Sequence, residues 1–450
     1  MSCPQKISES SQLAFNSALN IFNVPPTNVS VARSYFAEIL PLSAIDQTAP
    51  IQFRLFNDNL WTDMSRIYLM LELSIQKFHA GNWVAIVQGT DTDLAPIQAI
   101  GQTFIQQLKV QVGNVDVYDS GTLYPYRCYL TTELSYPECV KRTFLASIGY
   151  HISTKQDDAA DAGFVKRQQR FDGGKTVQTY SRLDFDLGNQ ELYLLNNVDA
   201  IFTIYRAKNE FLLQNLSAPN LLGGAPPQYR LFLHNTKLYV KMIDVQPSLN
   251  IAIYQQLERQ AAKYPIRRTE IRFTFLSAGR RELDYNVFSA TIPRRLTIAL
   301  VRSGAFNGDI TLSPFNFQTF NLEELSVHAG GQIYPPVPYR LDFASATGKQ
   351  FTRAFVDLYE ALGLANADRS CGISWEQFEN GGWSIFIIPL TSTLDDSCGF
   401  ELLRTGTTSI HARFGEAIPA GGVEMIVMGE FDQMLMIDYN RRVLFDSNLG

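Results

Sequence analysis

The sequence is poor in cysteine and contains no paired-cysteine motif. Five cysteines are spread over 450 residues, and no two of them are spaced as C-x-x-C. An odd, scattered set argues against a disulfide framework and against a structural zinc site, so the sequence predicts a reducing compartment. The cysteines are Cys3, Cys128, Cys139, Cys371 and Cys398.

Motifs for catalysis are missing too. The five histidines lie far apart, and there is no H-E-x-x-H, G-x-S-x-G or G-x-G-x-x-G motif. Gly348-Lys349 lacks the other residues of a phosphate-binding loop. We therefore expect no enzyme activity, no cofactor, no metal ion and no small-molecule substrate. Two minor alternatives stay open: calcium at Asp91 and Asp93 or at Asp395 and Asp396, and a nucleophilic Cys371 or Cys398 with His411 as its base.

Long apolar runs and an excess of charge are also absent. No run of 18 apolar residues exists, so no segment is predicted to span a membrane. The formal net charge of −6 argues against a chain that wraps nucleic acid through its overall charge. Only 18% of the residues are charged, against about 25% in an average domain. Together with 12% aromatic residues, this low charge predicts extensive subunit contacts.

The sequence is rich in strand patterns. Residues 67–75 alternate apolar and more polar side chains, and period-two alternation places one set on a buried face. Clusters of Gly, Asn and Asp separate these runs. The pattern predicts an all-β protein of sandwiches or barrels with a few short helices. The same alternation recurs at 238–242, 271–275, 296–300 and 423–427.

One hairpin pattern occurs twice, about half a chain apart. The copies span 108–127 and 325–340, and each has an alternating strand, a glycine turn, a second strand and a Pro-Tyr-Arg exit. A period this long is not a solenoid repeat and indicates two related domains in tandem. The Gly- and Pro-rich segment 216–229 is the predicted linker between an N-terminal domain, 1–215, and a C-terminal domain, 230–450.

Helical patterns are few. Residues 251–263 are rich in helix formers, and we expect Pro265 to end that helix. Residues 352–364 have apolar side chains at helical spacing, and a weaker pattern lies around 137–148. The polar stretch 154–181 is predicted to be a long loop.

Pairs of arginines are concentrated in the second half of the chain. They indicate either a positive face toward nucleic acid or strand-edge charges and intersubunit salt bridges, and we favour the second interpretation. We expect Arg267 or Arg268 to form a buried or intersubunit hydrogen-bonded pair with a carboxylate or a backbone carbonyl. The pairs are at 267–268, 280–281, 294–295 and 441–442.

A series of short motifs makes the second half resemble a known family. In order, the motifs are KYPIRR at 263–268, AFNG at 305–308, PFNF at 314–317, FNL at 320–322, EFD at 430–432 and IDYNR at 437–441. From about 235 to 445 this order resembles the major capsid proteins of Polinton (Maverick) elements and adintovirus-like viruses, and their endogenous copies in animal genomes. The candidate assembly or structural residues are Pro265, Arg267, Arg268, Asn316, Asp432 and Arg441.

The resemblance implies a double jelly roll, meaning two eight-stranded sandwiches in one chain. It implies homotrimers of pseudo-sixfold outline that tile an icosahedral shell around a double-stranded DNA genome. The implied partners are neighbouring capsomers, a vertex (penton) protein and, on the inner face, genomic DNA. The implied location is the virion capsid, after synthesis in the host cytoplasm and assembly there or in the nucleus. Two other functions stay open: a capsid-derived domesticated cellular protein, and a carbohydrate-binding or hydrolytic β-sandwich protein.

Overall fold

The computed structural model describes residues 8, 10–12, 14, 16–22, 24–217, 228–346, 348–391, 394 and 402–445. Strands dominate, which confirms the all-β class. In the first half the strands are β1 (Val31–Ile39), β2 (Ile51–Phe56), β3 (Trp61–His79), β4 (Asn82–Ala85), β5 (Leu94–Pro96), β6 (Ile105–Val112), β7 (Val115–Asp119), β8 (Val177–Arg182), β9 (Asp199–Arg206), β10 (Leu213–Asn215) and β11 (Tyr229–Val245). In the second half they are β12 (Ala262–Leu276), β13 (Glu282–Phe288), β14 (Arg295–Arg302), β15 (Leu322–Ala329), β16 (Gln332–Arg340), β17 (Ile385–Pro389), β18 (Thr408–Phe414), β19 (Val423–Ile437) and β20 (Val443–Phe445).

Short helices lie between the strands. The α-helices are α1 (Ile100–Thr103), α2 (Tyr124–Ser135), α3 (Glu138–Arg142), α4 (Ala162–Phe171), α5 (Asn209–Leu212), α6 (Pro247–Leu257), α7 (Ser303–Asn307) and α8 (Thr352–Ala361). Short 3₁₀ turns span Ser17–Leu19, Gly121–Leu123, Phe144–Ile148, Asp172–Gly174 and Asp186–Asn189, and one π turn spans Gln377–Gly381.

The strands form two sandwiches with the same strand order. In the first, the sheet β1-β11-β3-β8 packs on the sheet β2-β9-β6-β7. In the second, β12-β19-β14-β17 packs on β13-β18-β15-β16. Numbered from the start of each sandwich, the eight strands occupy identical places, which is the jelly-roll arrangement. The predicted double jelly roll is confirmed, and we call its halves the N-terminal roll and the C-terminal roll.

The last strand of the N-terminal roll lies beyond the predicted linker. β11 pairs with both β1 and β3, which places residues 229–245 in the N-terminal roll. The boundary at 216–229 had assigned nearly all of β11 to the C-terminal domain. The sequence misleads here because the closing strand of a jelly roll pairs beside the first, a long-range contact with no local signal. We propose that the rolls divide at α6; residues 218–227 of the predicted linker lie outside the described residues.

The repeated hairpins are confirmed as β6–β7 and β15–β16, which hold equivalent places in the two rolls. Their turns, Gly113-Asn114 and Gly330-Gly331, have positive φ at both central residues, as the tight hairpin turn of a twisted sheet requires. The Pro-Tyr-Arg exits differ, because residues 125–127 lie in α2 whereas residues 338–340 end β16.

The helix predictions had mixed outcomes. α8 confirms the helix predicted at 352–364, and α3 with a 3₁₀ turn matches the weaker pattern at 137–148. The expectation that Pro265 ends a helix is wrong: α6 ends earlier, and Pro265 lies within β12, opposite Met434. An edge strand tolerates proline because one of its sides donates no ladder hydrogen bonds. The predicted loop at 154–181 instead contains α4 and most of β8.

The alternating strand directions place the connections at two ends of the molecule. One end contains α1 to α5 in the N-terminal roll and α7 and α8 in the C-terminal roll, and we call it the helical end. The opposite end contains α6 and the two hairpin turns, and we call it the hairpin end. In both rolls the longest connection joins the fifth strand to the sixth, β7 to β8 and β16 to β17, and carries helices.

Candidate functional site

The seam between the two rolls is formed by the outer face of the sheet β12-β19-β14-β17. On β19, Phe431 points into its own sandwich, where its ring lies 5.0 Å from that of Phe288 on β13. Its neighbours along the strand, Glu430 and Asp432, therefore point outward. Asp432 is nevertheless only 6% exposed, because α2 of the N-terminal roll covers this face. A cavity of about 490 Å³ remains between them, lined from the N-terminal roll by Arg127, Thr131, Leu134, Ser135 and Asn189.

Three candidate residues from the sequence meet at this seam. Pro265 and Arg267 line the cavity. Arg267 Nε lies 3.5 Å from Asp432 Oδ1, and Arg294 Nε lies 3.6 Å from Asp432 Oδ2. One buried carboxylate on β19 is thus shared by two guanidinium groups from the two sides of that strand, Arg267 on β12 and Arg294 just before β14. The ion pair that the structure gives Arg267 lies within one chain.

A second cluster of buried charges at the seam was missed by the sequence analysis. Arg127 on α2 is 3% exposed; its Nη1 lies 2.8 Å from Asp186 Oδ1, and its Nε lies 3.3 Å from Asp184 Oδ2. Arg127 Nη1 also donates to the Tyr118 hydroxyl at 3.0 Å. The Thr269 amide of β12 donates to Asp186 Oδ1 at 3.2 Å, so the cluster reaches across the seam.

The two carboxylates of this cluster differ in their ionisation. Burial raises the pKa of Asp186 in spite of the adjacent Arg127 charge. For Asp184, burial acts in the same direction, but the charge of Arg127 and hydrogen bonds from Asn189 and Arg127 outweigh it, so its pKa is lowered. The buried Arg127 guanidinium therefore faces two carboxylates, of which Asp184 is the one that it keeps ionised.

Arg268 points to the other side of β12 from Arg267. Its Nη1 lies 2.6 Å from Glu270 Oε1, and its guanidinium lies 5.0 Å from the centre of the Phe431 ring. It lines an open groove of about 760 Å³ between β7 and β12. The adjacent arginines therefore occupy different environments, and only Arg267 belongs to the cluster around Asp432.

Asn316 connects the rolls at the helical end. Its Nδ2 donates to Asp157 Oδ2 at 2.6 Å, and the Ser313 amide donates to Asp157 Oδ1 at 2.6 Å. Gln214 Nε2 donates to the same Oδ1 at 2.6 Å. Burial raises the pKa of Asp157 although these hydrogen bonds oppose it. A carboxylate of the N-terminal roll thus organises a loop of the C-terminal roll.

Arg441 makes the corresponding connection at the hairpin end. Its Nε donates to the Asn196 carbonyl at 2.8 Å, and its Nη2 donates to Asn196 Oδ1 at 3.0 Å. Its guanidinium also lies 5.1 Å from the centre of the Tyr254 ring on α6. All six candidate residues therefore lie at or beside the seam within one chain.

An aromatic cluster fills the seam at the helical end. Tyr126 stacks on Phe306 with ring centres 5.4 Å apart, and Tyr129 stacks on Phe315 at 4.1 Å. The rings of Phe211 and Phe317 complete the cluster. Phe315 and Phe317 belong to the PFNF motif, so the sequence marked one side of this contact. Its partners on α2 were not predicted, because Pro125-Tyr126-Arg127 was interpreted as the exit of a hairpin and no helix was expected there.

Asp91, which the sequence offered as a calcium ligand, binds protein side chains instead. Asp91 is bound by Lys77 Nζ at 2.7 Å and by the Tyr229 hydroxyl at 2.8 Å. Within the described ranges, no group of three or more metal-ligating side chains occurs. Asp395, Asp396 and Cys398 lie outside the described residues. No helix in the described part of the chain is long and apolar enough to cross a membrane.

His151, between the 3₁₀ turn at 144–148 and α4, predicts an acid sensitivity. Burial, and then the charges of Arg170 and Arg167, lower the pKa of His151 from 6.5 to about 4. The unfolded chain takes up a proton below pH 6.5, so stability is lost as the pH falls from 6.5 towards 4. We expect His151→Gln to reduce the loss of Tm between about pH 7 and about pH 4.5, measured by thermal denaturation.

The exposed His79 provides a matched control for this experiment. We expect His79→Gln to keep the pH dependence of the unchanged protein. An equal loss of Tm in His151→Gln and in the unchanged protein would contradict the role given to His151.

Comparison with known proteins identifies the fold. No family model matches the chain. An uncharacterized protein of Caenorhabditis elegans is 26% identical over 431 residues, which cover 94% of this chain and all of the relative. A solved chain of the Sputnik virophage superposes with a TM-score of 0.65 at 12% identity, covering 99% of this chain and 95% of that one.

Two further solved structures agree. The major capsid protein of mavirus gives a TM-score of 0.59 at 11% identity, covering 100% of this chain and 97% of that one. The major capsid protein of Faustovirus gives 0.56 at 10% identity, covering 95% and 93%. At such low identity the agreement concerns the fold: this chain has, over its whole length, the double jelly-roll fold found in viral major capsid proteins.

Proposed function

We propose that this chain is a major capsid protein that forms homotrimeric, pseudo-hexameric capsomers of an icosahedral shell around double-stranded DNA. The observation that carries the proposal is the repetition of one strand order in two rolls that are fixed to each other along a buried seam. Three such chains present six similar lobes, which can tile a hexagonal net with one gene product. The agreement in fold with the mavirus and Faustovirus proteins supports it.

The seam supports this role because a tile needs a fixed angle between its lobes. The hydrogen bond from the Thr269 amide to Asp186, the Asn316 and Arg441 contacts and the aromatic cluster connect the rolls from one end to the other. The ion pairs of Asp432 and of Arg127 are buried beside these contacts, each within its own roll. Many independent contacts along one seam oppose hinge motion between the rolls. We therefore propose that the six candidate residues serve assembly by fixing the geometry of the tile.

The remaining partners follow from the geometry of a closed shell. A six-lobed tile does not fit the fivefold positions, so a separate vertex protein is part of the proposal. Genomic DNA on the inner face, location in the virion capsid, synthesis in the host cytoplasm and assembly there or in the nucleus complete it.

Size-exclusion chromatography with light scattering, followed by electron microscopy, tests the proposal. We expect a particle of three 50.7 kDa chains with a hexagonal outline, each interface burying more than roughly 2,000 Å². Such trimers should join into sheets or shells at high protein concentration. A monomer that persists at micromolar concentration would contradict the proposal.

A domesticated capsid-derived protein is the second candidate, and one observation favours it. A nematode protein matches 94% of the chain, so a chain of this length is present in an animal. Trimers that never join into shells, with or without a vertex protein, would support this second function.

A further inference from the structure

The N-terminal roll has an outer sheet face equivalent to the one that is buried at the seam. On β3, Ile67, Leu69 and Leu71 are at most 1% exposed and point into the sandwich. The alternate residues, Tyr68 among them, therefore point outward. Strand pairing places Tyr239 of β11 and Arg182 of β8 beside Tyr68 on this outer face.

The centre of this face is a row of aromatic rings, which we call the tyrosine face. Tyr68 stacks on Tyr180 with ring centres 4.9 Å apart, Tyr180 lies 5.4 Å from Tyr239, and Phe36 lies 6.0 Å from Tyr68. Phe36 is 44% exposed and Tyr180 is 36% exposed. The tyrosine face consists of Phe36, Tyr68, Tyr180 and Tyr239.

The equivalent face of the C-terminal roll is buried. On β19, Met428 is only 5% exposed, because α2 and its flanking turns lie opposite it, and Ile426 is 0% exposed. The same sheet in the same fold is thus covered within the chain in one roll and open in the other. What covers the first of these faces indicates what fits the second.

The covering element also has an equivalent. α2 follows β7 in the N-terminal roll, and α8 follows β16 in the C-terminal roll, at the same point of the strand order. The surface formed by β16 and α8, which we call the α8 side, is open: Val337 is 64% exposed, Val356 45% and Ile333 43%. Each chain therefore has an open sheet face in its N-terminal roll and an open helix side in its C-terminal roll.

Both surfaces carry charged groups beside their apolar residues. The tyrosine face is flanked by Lys241, whose ammonium lies 5.0 Å from the centre of the Phe36 ring, and by Lys237, which is paired with Glu38 at 2.8 Å. The α8 side has Asp357 and Glu360 beside its apolar residues, lining a cavity of about 340 Å³, and Asp357 is paired with Arg353 at 3.6 Å. Each surface thus combines exposed apolar side chains with paired charges at its rim, as a specific interface does.

We propose that the tyrosine face of one chain receives the α8 side of a second copy, repeating between chains the contact that α2 makes within a chain. This inference rests on the homotrimer proposed above and names its surface. The contact is head-to-tail, since each copy contributes two different surfaces, and such contacts close into a ring when the rotation allows. Three chains with two rolls each then close a ring of six lobes.

Two substitutions test the two surfaces separately. Tyr180→Glu introduces a charge into the tyrosine face, and Val356→Glu introduces one into the α8 side. We expect either variant to raise the concentration needed for trimers by at least about 30-fold, as at an interface hot spot. Phe144→Glu is the matched control, because Phe144 is 60% exposed and belongs to neither surface. It should remain trimeric, as should Tyr180→Phe.

Mixing the two variants separates a surface effect from misfolding. The Tyr180→Glu chain keeps an intact α8 side and the Val356→Glu chain keeps an intact tyrosine face. A mixture should therefore form heterodimers, detected by light scattering, that neither variant forms alone. Trimers in either single variant, or a mixture that stays monomeric, would overturn the assignment of the surfaces. A monomeric unchanged protein would instead overturn the proposed homotrimer.

Discussion

Replacement of Arg127 by Met is expected to lower the free energy of unfolding by about 3–5 kcal/mol, the usual cost of removing one partner of a buried ion pair. Arg127 is 3% exposed and is the shared partner of Asp184 and Asp186. Methionine fills a similar volume but leaves two carboxylates in a dry site without their cation. Burial would then raise the pKa of both carboxyl groups. The variant chain would fold more readily with these groups protonated.

Urea denaturation at neutral pH measures this loss. The matched control is Arg33→Met, which also removes an arginine–aspartate ion pair, with Asp244 at 3.0 Å, but from a side chain that is 69% exposed. Water solvates both partners there, so the control should differ little from the unchanged protein. Equal stability of Arg127→Met and Arg33→Met would show that the buried cluster does not hold the seam.

The loss in Arg127→Met should also depend on pH in a defined direction. The ionised Asp184 is stabilised by Arg127 in the folded chain, so its pKa is lowered there. That stabilisation is present above the ordinary aspartate pKa and is lost as the pH falls through the folded value. The variant should therefore be closest in stability to the unchanged protein in acid.

Strand positions could be predicted from the sequence because alternation is a local signal. The hairpins at β6–β7 and β15–β16 could also be predicted, because a glycine-containing turn between two alternating strands is a strong local signal for a hairpin. The pairing of β11 with β1 could not be predicted in this way, because it joins residues about two hundred positions apart. Nor could the end of α6, because Ala262-Lys263 favours helix by propensity yet pairs with the end of β19.

For the candidate residues too, the local motifs could be read from the sequence but the long-range contacts could not. Asp432 and Arg267 were selected from separate motifs, and the strand register places them directly opposite each other on β19 and β12. Register between distant strands is set by tertiary pairing, so the sequence supplied the two residues without their contact. Arg127 was not selected because the sequence analysis placed it in the exit of the hairpin, whereas it lies in α2, which places its side chain at the seam.

Replacement of Lys141 by Met is expected to have a comparably large effect, again about 3–5 kcal/mol of unfolding free energy. Lys141 Nζ donates to Glu133 Oε2 at 2.6 Å, to the Glu133 carbonyl at 2.8 Å and to the Cys371 carbonyl at 2.8 Å. The three donors of the ammonium are thus all satisfied, and the third bond crosses from α3 to the C-terminal roll. Methionine offers no donor, so two carbonyls lose a hydrogen bond and the Glu133 carboxylate loses its cation together.

Combining two substitutions identifies the physical cause. Glu133 is also bound by the Tyr150 hydroxyl at 3.0 Å, which remains in the variant and suits an amide oxygen as well as a carboxylate. The pair Lys141→Met with Glu133→Gln should therefore recover part of the lost stability, because no buried charge is left alone. Lys109→Met, at an exposed ion pair with Asp119, is the matched control and should change stability little. A double variant as unstable as Lys141→Met would mean that the bonds to the two carbonyls, rather than the buried charge, dominate.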